Sequence, residues 1–439
     1  MNSPLRAYLD ALKQFPETAR QSPQQYFCRP GKDFTRKRVL HLERVVWLNI
    51  TLLKNTLSVE LDRFFGWLNA GVFSPTKSAL VQARQKLLPR FFCDMFLLSA
   101  TLFYEHFKAK RWKGMRLWAA DGTGFRLPDE EWLGEEFGWH ENQHSTVPSA
   151  RLVAFYDLLN QIVASLHFHS RNTAEIIEAQ KAIASIPEDV CVVYDRGYAS
   201  HTVPFLHQAA GSHCIIRLPT GFSNTVKAFV AGGKKDQAVT ERLSYKSRRA
   251  LKSLGFDVDA TTTISYRLIR VPLPGGGTEV LLTTLTDRRR FPHSGFARIY
   301  AKRWGIETCF LVIKSFLELA NFSAYTVNNC WQDIYAHFIN YNIQTVFFAA
   351  KEKEIKRISK RRKYDYKPNR NITAGLLKRF LVKAMLGPKY KTTQWLADFY
   401  RQILQTMEPV RPGKNKERKR RCMRGTERHN YEPNYRRAL

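Results

Sequence analysis

Apolar residues recur every three or four positions over much of the first quarter of the chain. This spacing runs through FTRKRVLHLERVVWLNITLLKNTLSVELDRFFGWL (34–68) and SPTKSALVQARQKLLPRFFCDMF (74–96). It predicts amphipathic helices that each turn one apolar face to a core. Ser74 is placed to cap the second of these helices, and Pro75 to occupy its first position. We therefore expect residues 1–114 to form a helical N-terminal domain.

After residue 114 the pattern changes to short apolar or alternating runs separated by turn residues. Strands are predicted in MRLWAADGT (115–123), in both halves of the hairpin ARLVAFYDLLNQIVASLHFHS (150–170), in DVCVVYDRGY (189–198) and in HCIIRLP (213–219). Helices are predicted in NTAEIIEAQKAIASI (172–186) and HTVPFLHQAAG (201–211). The resulting order is three strands, helix, strand, helix and strand. Such an order is typical of an α/β layer fold with a mixed sheet flanked by helices.

A segment rich in turn residues, threonine and alternating strand patterns interrupts this order at residues 219–278. It predicts a β-rich insertion that divides the α/β domain into residues 115–218 and 279–345. EVLLTTLTD (279–287) returns to a core strand, and YAKRWGIETCFLVIKSFLE (300–318) predicts one long helix. Beyond it we expect a helical basic region at 346–409 and a disordered basic tail at 410–439.

The charge of the chain is strongly unbalanced. Seventy Lys and Arg residues face 38 Asp and Glu residues, which leaves a formal net charge of +32. An excess of this size repels itself unless a polyanion is near, and nucleic acid is the common intracellular polyanion. Residues 410–439 carry eleven basic and three acidic side chains with almost no apolar content. They predict a disordered arm that binds phosphates, with a purely solubilising tail as the alternative.

Basic residues also mark the helix predicted near residue 80. They are Lys77, Arg84, Lys86 and Arg90. A compact basic helical unit suits the recognition of DNA by a helix-turn-helix-like arrangement. A solvated helix face explains the same residues equally well.

Other features limit the compartment and the class of site. The chain has no apolar run of about 18 residues that would span a bilayer, and its start, MNSPLRAYLDALKQFPETAR, lacks the apolar core of a signal peptide. Its seven cysteines are scattered without paired spacing, which argues against a zinc knuckle or a disulfide framework. We expect a cytosolic protein that does not associate with membranes.

Two acidic residues stand at the ends of predicted strands, and a third lies on the predicted long helix. Asp121 ends MRLWAAD, Asp195 ends VCVVYD, and Glu307 follows in sequence. Each aspartate alone is commonly a turn residue. Together they place carboxylates in the crevice where open α/β sheets bind their ligands. Three carboxylates at one point repel each other unless a cation joins them, and Mg²⁺ is the natural hard cation for oxygen ligands.

The predicted helix 300–318 carries a narrow polar line beside its apolar stripe. Tyr300, Arg303, Glu307 and Lys314 fall within about 60° of one another at 100° per residue. A local Arg303–Glu307 pair would account for part of this line. With Mg²⁺ at the acids, Arg303 and Lys314 would instead hold backbone phosphates, and Tyr300 would contact a displaced nucleotide. Arg196 and Arg217 lie near strand ends beside the same site, where DNA contact and local ion pairing are both open.

At these residues the sequence resembles the DDE transposases of the insertion-sequence-four family. The resemblance rests on Asp-Gly-Thr at Asp121, Asp-Arg-Gly-Tyr at Asp195 and a Tyr-x2-Arg-x3-Glu-x6-Lys signature that starts at Tyr300. LLTTLTD (281–287) and NYNIQ (340–344) also look like the family, and the resemblance covers about residues 70–350. It implies a ribonuclease H-like catalytic core in which Asp121, Asp195 and Glu307 bind two Mg²⁺ ions, with Mn²⁺ as a possible substitute.

The resemblance further implies DNA cleavage at the inverted repeats of a transposon and joining of the freed 3′-hydroxyl to target DNA. The enzyme would act as a homodimer in a synaptic complex, in the cytoplasm of a bacterium at its nucleoid. The insertion would present an aromatic residue to a flipped base, but residues 219–290 contain no tryptophan. Phe222, Tyr245, Phe256 and Tyr266 are the alternatives. A non-catalytic or domesticated DNA-binding regulator and a structure-selective nuclease remain the competing functions.

Overall fold

The structure is a computed structural model that describes residues 3–36, 38–52, 55–68, 74–141, 146–169, 173–273, 276–388 and 391–411. Six helices precede the first strand in this part of the chain: α1 (Ser3–Arg20), α2 (Pro23–Tyr26), α3 (Leu42–Thr51), α4 (Leu57–Leu68), α5 (Lys77–Arg84) and α6 (Pro89–His106). Then come β1 (Arg116–Arg126), α7 (Glu131–Phe137), β2 (Trp139–Glu141), β3 (Thr146–Asp157), β4 (Ile162–His169), α8 (Glu175–Ile183), β5 (Val190–Tyr194), α9 (Thr202–Ala209) and β6 (His213–Leu218).

The second half of the described chain begins with α10 (Asn224–Ala231), β7 (Asp236–Arg242), α11 (Tyr245–Ser253), β8 (Thr263–Pro272) and β9 (Thr278–Thr283). It continues with α12 (Phe296–Ala301), α13 (Trp304–Leu311), α14 (Val327–Ala350), α15 (Glu352–Lys360), β10 (Asp365–Lys367), α16 (Arg370–Leu386), α17 (Thr392–Gln405) and β11 (Glu408–Val410). The predicted tail at 410–439 lies almost entirely outside the described residues.

Nine strands form one mixed sheet, which confirms the mixed α/β prediction. Its order is β2-β3-β1-β5-β6-β9-β8-β7, and β4 pairs with the outer edge of β3. Strands β1, β5 and β6 are parallel, whereas β3, β4 and β9 run antiparallel to their neighbours. All five residues of β5 are buried, as a parallel strand covered on both faces requires.

Strand β1 is longer than predicted, and this corrects the position of Asp121. The sequence Asp-Gly predicted a turn at this point. Instead, the ladder with β3 runs from Trp118↔Asp157 to Arg126↔Ser149 and carries Asp121 and Gly122 inside the strand. The parallel ladder with β5 runs only from Arg116↔Val190 to Ala119↔Val193. The edge of β1 beyond Ala119 is therefore left open where β5 ends.

The segment 219–278 differs from the predicted β-rich insertion. It contains helices α10 and α11 as well as strands β7 and β8. These strands continue the central sheet, because β8 pairs with β9 and β9 pairs with β6. The Ser223 and Ser244 hydroxyls accept hydrogen bonds from the first turns of α10 and α11, so these serines act as N-caps.

The long helix predicted at 300–318 is broken in two. Helix α12 packs Phe296 and Ile299 on one apolar core, whereas α13 packs Ile306 and Cys309 on another. A single straight helix cannot serve both cores, and the chain turns between Ala301 and Trp304. A π-helical turn at residues 312–316 follows α13. The predicted polar line therefore does not follow one helix: Tyr300 lies on α12 and is buried, whereas Glu307 lies on α13.

The helices at the two ends of the described chain share one core. This core joins α1, α3, α4 and α6 to α13, α14, α16 and α17. The sequence left Arg84 on either a DNA-facing or a solvated helix face, but its side chain is completely buried within this core. It pairs with Asp333 on α14 at 2.7 Å and donates a hydrogen bond to the Asn329 carbonyl at 2.9 Å.

Two further observations concern the compartment and the cysteines. Among the described residues, no helix is both long enough and apolar enough to cross a bilayer. The six cysteines in that part of the chain are free thiols, and four of them are buried.

Candidate active site

The open edge of β1 brings the predicted aspartates to one place. Asp121 lies on β1 just beyond the last residue that pairs with β5, and Asp195 directly follows the end of β5. The Asp121 Oδ1 atom accepts a hydrogen bond from the Gly122 backbone N–H at 3.1 Å. The Asp195 Oδ1 atom accepts one from Gly197 N–H at 2.7 Å and caps the short turn Arg196–Tyr198.

Arg303 links Asp121 to the third predicted acid. Its Nη1 atom lies 3.7 Å from Asp121 Oδ2, and its Nη2 atom lies 2.8 Å from Glu307 Oε1. The guanidinium is nearly buried, and it stacks over the Trp304 ring with 5.2 Å to the ring centroid. Trp304 itself is 61% exposed beside the acids. The predicted local Arg303–Glu307 pair exists, and it extends to a carboxylate on the sheet.

The electrostatics of Asp121 show how close the acidic groups lie. Burial raises the pKa of Asp121 to about 7, against the opposing effect of Arg303. The charges of Glu175, Asp195 and Glu307 raise this pKa further. Four carboxylates are thus grouped around the end of β5, although sequence reasoning had named three.

The acids fit a divalent ion by the kind of ligand that they offer. Carboxylate oxygens are the ligands that Mg²⁺ and Mn²⁺ prefer. As placed in the described part of the chain, no three His, Cys, Asp or Glu side chains are close enough together to hold a metal ion. The cationic Arg303 guanidinium stands between Asp121 and Glu307 instead.

The other residues of the polar line have different surroundings. Burial raises the pKa of Tyr300 to about 12, with Arg303 and Arg217 nearby as opposing charges. The Lys314 ammonium donates a hydrogen bond to the Gly124 carbonyl at 2.6 Å, so it is anchored to β1. Desolvation by burial lowers the pKa of Lys314.

The two flanking arginines differ from each other. Arg217 pairs with Glu279 Oε1 at 3.1 Å, which is the local ion pairing that the sequence left open. Its side chain stays 40% exposed. Arg196 is exposed on the turn after Asp195. Both side chains reach solvent.

Comparison with known proteins identifies the family. A family model for the transposase DDE domain matches residues 112–343, which is more than half of the chain. The chain belongs to this transposase family. The match confirms the resemblance stated from the motifs, and it includes all three predicted acids. It also covers the whole polar line from Tyr300 to Lys314.

Two curated transposases of Escherichia coli strain K12 are similar to the chain. The transposase InsG of insertion sequence element IS4 is 27% identical over 288 residues, which are 64% of this chain and 64% of that protein. The putative transposase InsZ is 27% identical over 174 residues, which are 38% of this chain and 56% of that protein. The chain therefore spans less than two thirds of the length of either relative.

Among solved structures, a piggyBac transposase synaptic complex with hairpin DNA, determined by cryo-electron microscopy, is similar at a TM-score of 0.44. Sequence identity is 9%, with 95% of this chain and 87% of that chain covered.

Sequence reasoning missed a cleft that lies next to the acids of this transposase. A cavity of about 600 Å³ runs along the second half of β1. Two arginines and two histidines line it: Arg126, Arg151, His140 and His169. Glu175 lines the same cavity on the side of the acids. Nothing in the sequence predicts this cleft, because its residues come from five separate elements, β1, β2, β3, β4 and α8.

The aromatic residues proposed for a flipped base are not equally accessible. Tyr266 is buried and donates its hydroxyl to Glu241 at 2.5 Å. Phe222 packs on His201, with ring centroids 5.0 Å apart, and Phe256 packs on Phe205 at 5.7 Å. Tyr245 at the start of α11 is 74% exposed. Of these four residues, Tyr245 presents the most accessible ring.

Proposed function

We propose that this protein transposes an insertion sequence, by metal-dependent cleavage of DNA at terminal inverted repeats and transfer of the 3′-hydroxyl strand into target DNA. The observation that carries the proposal is the grouping of Asp121, Asp195 and Glu307 around one end of β5. Arg303 bridges two of these acids, and the charge of the third acts on Asp121. Membership of the transposase family supports the same reaction.

We also infer a ribonuclease H-like catalytic core. Three consecutive antiparallel strands, β1, β3 and β4, precede two parallel strands, β5 and β6, in the spatial order β4-β3-β1-β5-β6. The first of these strands lies at the centre and carries Asp121. The short strand β2 and the helix α7 are additions between β1 and β3.

In the proposed site Asp121, Asp195 and Glu307 hold the divalent ions, two Mg²⁺ by the resemblance. Two such ions, when bound, activate a water molecule or a 3′-hydroxyl and stabilise the leaving oxygen of a phosphoryl transfer. The task of Arg303 before that is to neutralise Asp121 and Glu307 at short range. With divalent ions bound at these carboxylates, the Arg303 guanidinium would be free to pair with a DNA phosphate in bidentate fashion.

The DNA would lie across the open edge of β1. Arg126 and Arg151 in the cleft, together with the exposed Arg196, offer positive charge for backbone phosphates. Lys314 and Arg217 would extend this contact surface, and the buried Tyr300 lies close to Arg303 and Arg217. Tyr245 is our choice for the aromatic residue that stacks on a flipped base, since its ring is the most exposed of the four candidates.

The protein would work as a homodimer on paired transposon ends, in the bacterial cytoplasm and associated with the nucleoid. A net charge of +32 brings DNA to the molecule without sequence selection.

A cleavage and joining assay tests the proposed function. Full-length protein is incubated with labelled end DNA, a target plasmid and Mg²⁺. We expect cleaved ends and joined products from the wild-type protein. We expect neither from Asp121→Ala, Asp195→Ala or Glu307→Ala, whereas duplex binding in a gel-shift assay is kept. The exposed Asp257→Ala serves as the matched control and should stay active.

The competing functions give different results in the same assay. A structure-selective nuclease would cleave the ends without joining them. A non-catalytic regulator would bind the ends and leave them intact. Unchanged cleavage by Asp121→Ala would contradict the proposed metal site itself.

A further inference from the structure

Glu175 is the fourth acid at the open edge of β1, and it reaches this edge from the opposite layer to Glu307. Helix α8 begins at Glu175 and packs Ala179 and Ala182 on the same core as Ala120 of β1. Helix α13 packs Ile306 on the core that contains Ala119. Because successive strand residues face opposite sides of a sheet, the two helices flank β1 from its two faces.

The Glu175 carboxylate explains why residue 122 is a glycine. A Cβ atom placed on Gly122 would lie 2.0 Å from Glu175 Oε2 and 2.1 Å from its Cδ atom. Gly122 lies inside the β1–β3 ladder opposite Val153 rather than at a turn. The glycine next to Asp121 therefore has a packing role, which is to let the carboxylate of Glu175 approach the backbone of the strand.

Tyr198 holds this carboxylate in place. Its hydroxyl donates a hydrogen bond to Glu175 Oε1. Tyr198 is 2% exposed and packs on Tyr194, with ring centroids 5.1 Å apart, so the hydroxyl has little freedom to move. The bond leaves Glu175 Oε2 directed at Gly122. The tyrosine of the Asp-Arg-Gly-Tyr motif thus connects Asp195, three residues before it, to Glu175.

We propose that Glu175 is a fourth carboxylate ligand of the divalent-ion site, fixed by Tyr198 and admitted to the edge of β1 by Gly122. The inference rests on the proposed function, because it assumes that Asp121 binds a cation. The Asp121 side chain lies on the Ala119 face of β1, as Glu307 does, whereas Glu175 lies on the Gly122 face. Glu175 would therefore reach the ion across the open edge of the strand. A carboxylate serves this purpose because its oxygens are the ligands that Mg²⁺ and Mn²⁺ prefer. A purely structural tie between α8 and Tyr198 is the alternative.

Binding of Mn²⁺ to the full-length protein without DNA tests the inference. Electron paramagnetic resonance of free Mn²⁺ gives the number of bound ions and their Kd values. We expect Glu175→Gln to lose one ion or to weaken its binding about tenfold or more. Tyr198→Phe should weaken the same ion by a smaller factor. Glu178→Gln is the matched control, since this acid lies one turn further along α8 and pairs with Lys181 at 2.6 Å.

Gly122→Ala provides an independent approach to the same question. The added methyl group would push the flexible Glu175 carboxylate aside, so this variant should weaken the same ion. Combined with Glu175→Gln it should cause no further loss, because both changes remove one interaction. If Glu175→Gln does not fold, Gly122→Ala and Tyr198→Phe decide the result.

The outcomes separate this inference from the proposed function. Wild-type Mn²⁺ binding in Glu175→Gln and Gly122→Ala, with loss in Asp121→Asn, would overturn the role of Glu175 alone. The site of Asp121, Asp195 and Glu307 would then stand without it. Wild-type Mn²⁺ binding in Asp121→Asn would overturn both.

Discussion

At the scale of single residues, Asp121 and Arg303 illustrate how the candidate site is held ready without a cation. Asp121 is largely buried among three other carboxylates, and an isolated charge in such a place is costly. The Arg303 guanidinium lowers this cost by lying 3.7 Å from Asp121 and 2.8 Å from Glu307. Its stacking on Trp304 keeps it there. The arrangement resembles an ion site in which an arginine takes the place of the metal.

The raised pKa of Asp121 predicts that Asp121→Asn stabilises the fold. The pKa is about 7 in the folded protein, chiefly through burial, against an ordinary value of 3.8. The charged form is therefore disfavoured on folding, and the penalty grows as pH rises from about 4 to 7 and is complete above pH 7. In metal-free buffer at pH 8 we expect the asparagine variant to be more stable by about 1 to 3 kcal/mol.

Urea unfolding at pH 8 and pH 4 measures this difference. It should be present at pH 8 and should nearly vanish at pH 4, where Asp121 is protonated in the folded protein. Asp257→Asn, at an exposed position, should change stability little at either pH. Equal stabilities of Asp121→Asn and wild type at pH 8 would show that the carboxylate is not under electrostatic strain.

At the scale of secondary-structure elements, helix α14 organises the molecule. Its middle is buried on all sides although it contains many polar residues. Several of these polar side chains form hydrogen bonds with specific groups on other elements. The Asn342 amide, for example, bonds both the N–H and the carbonyl of Val163 on β4. These contacts explain why NYNIQ is polar at a buried place, and they join the central sheet to the helical layer.

The buried Arg84–Asp333 pair between α5 and α14 should contribute strongly to the stability of the fold. Arg84→Met would leave the buried Asp333 with hydrogen bonds from Ser323 but without its cationic partner. Breaking such a pair costs about 3 to 5 kcal/mol. We expect a correspondingly lower midpoint of urea unfolding. Arg90→Met is the matched control, because Arg90 pairs with Asp94 at the surface and such pairs contribute at most about 1 kcal/mol.

A second substitution separates the lost pair from lost packing. In Arg84→Met with Asp333→Leu, the unpaired charge is gone, so part of the stability should return. An additive loss in the double variant would show that Arg84 acts through packing alone. Retained DNA binding in any folded Arg84 variant would agree with its burial away from the surface.

At the scale of the whole molecule, the positive charge comes from several groups of basic residues that lie far apart along the chain. The exposed Arg196, the cleft residues Arg126 and Arg151, and the basic helix α15 all contribute. Residues 412–439, outside the described part of the chain, add ten basic and three acidic side chains. Their proposed contact with phosphates is distinguishable from mere solubilisation by its dependence on salt.

A chain ending at Arg411 should bind nonspecific duplex DNA with a weaker salt dependence than the full chain. Each phosphate contact contributes about −0.9 to the slope of log K against log salt concentration. Loss of the tail should therefore make the slope less negative by several units. Fluorescence anisotropy titrations at salt concentrations from about 50 to about 300 mM measure this slope. Identical slopes for both chains would favour the solubilising tail.

Several parts of the fold could be predicted from local pattern. The hairpin of β3 and β4, the apolar strand β5 and helices α8 and α9 follow from spacing and turn residues that act within a few positions. The course of β1 through Asp121 and the break before Trp304 could not be predicted in this way. The β3 ladder overrides the turn preference of Asp-Gly, and two separate cores divide a segment whose own pattern is helical throughout.

Composition, periodicity and fixed spacing are local properties, and they are enough to predict the mixed α/β class, the motifs of a DDE transposase and three candidate acids. The folded chain is needed to show that Arg303 stands between Asp121 and Glu307, that Arg84 is buried, and that Glu175 reaches the same edge from the other face of the sheet. These relations join residues up to some 250 positions apart along the chain. They depend on which strand edge is left open and which side chain fills it, and no pattern along a single segment contains that information.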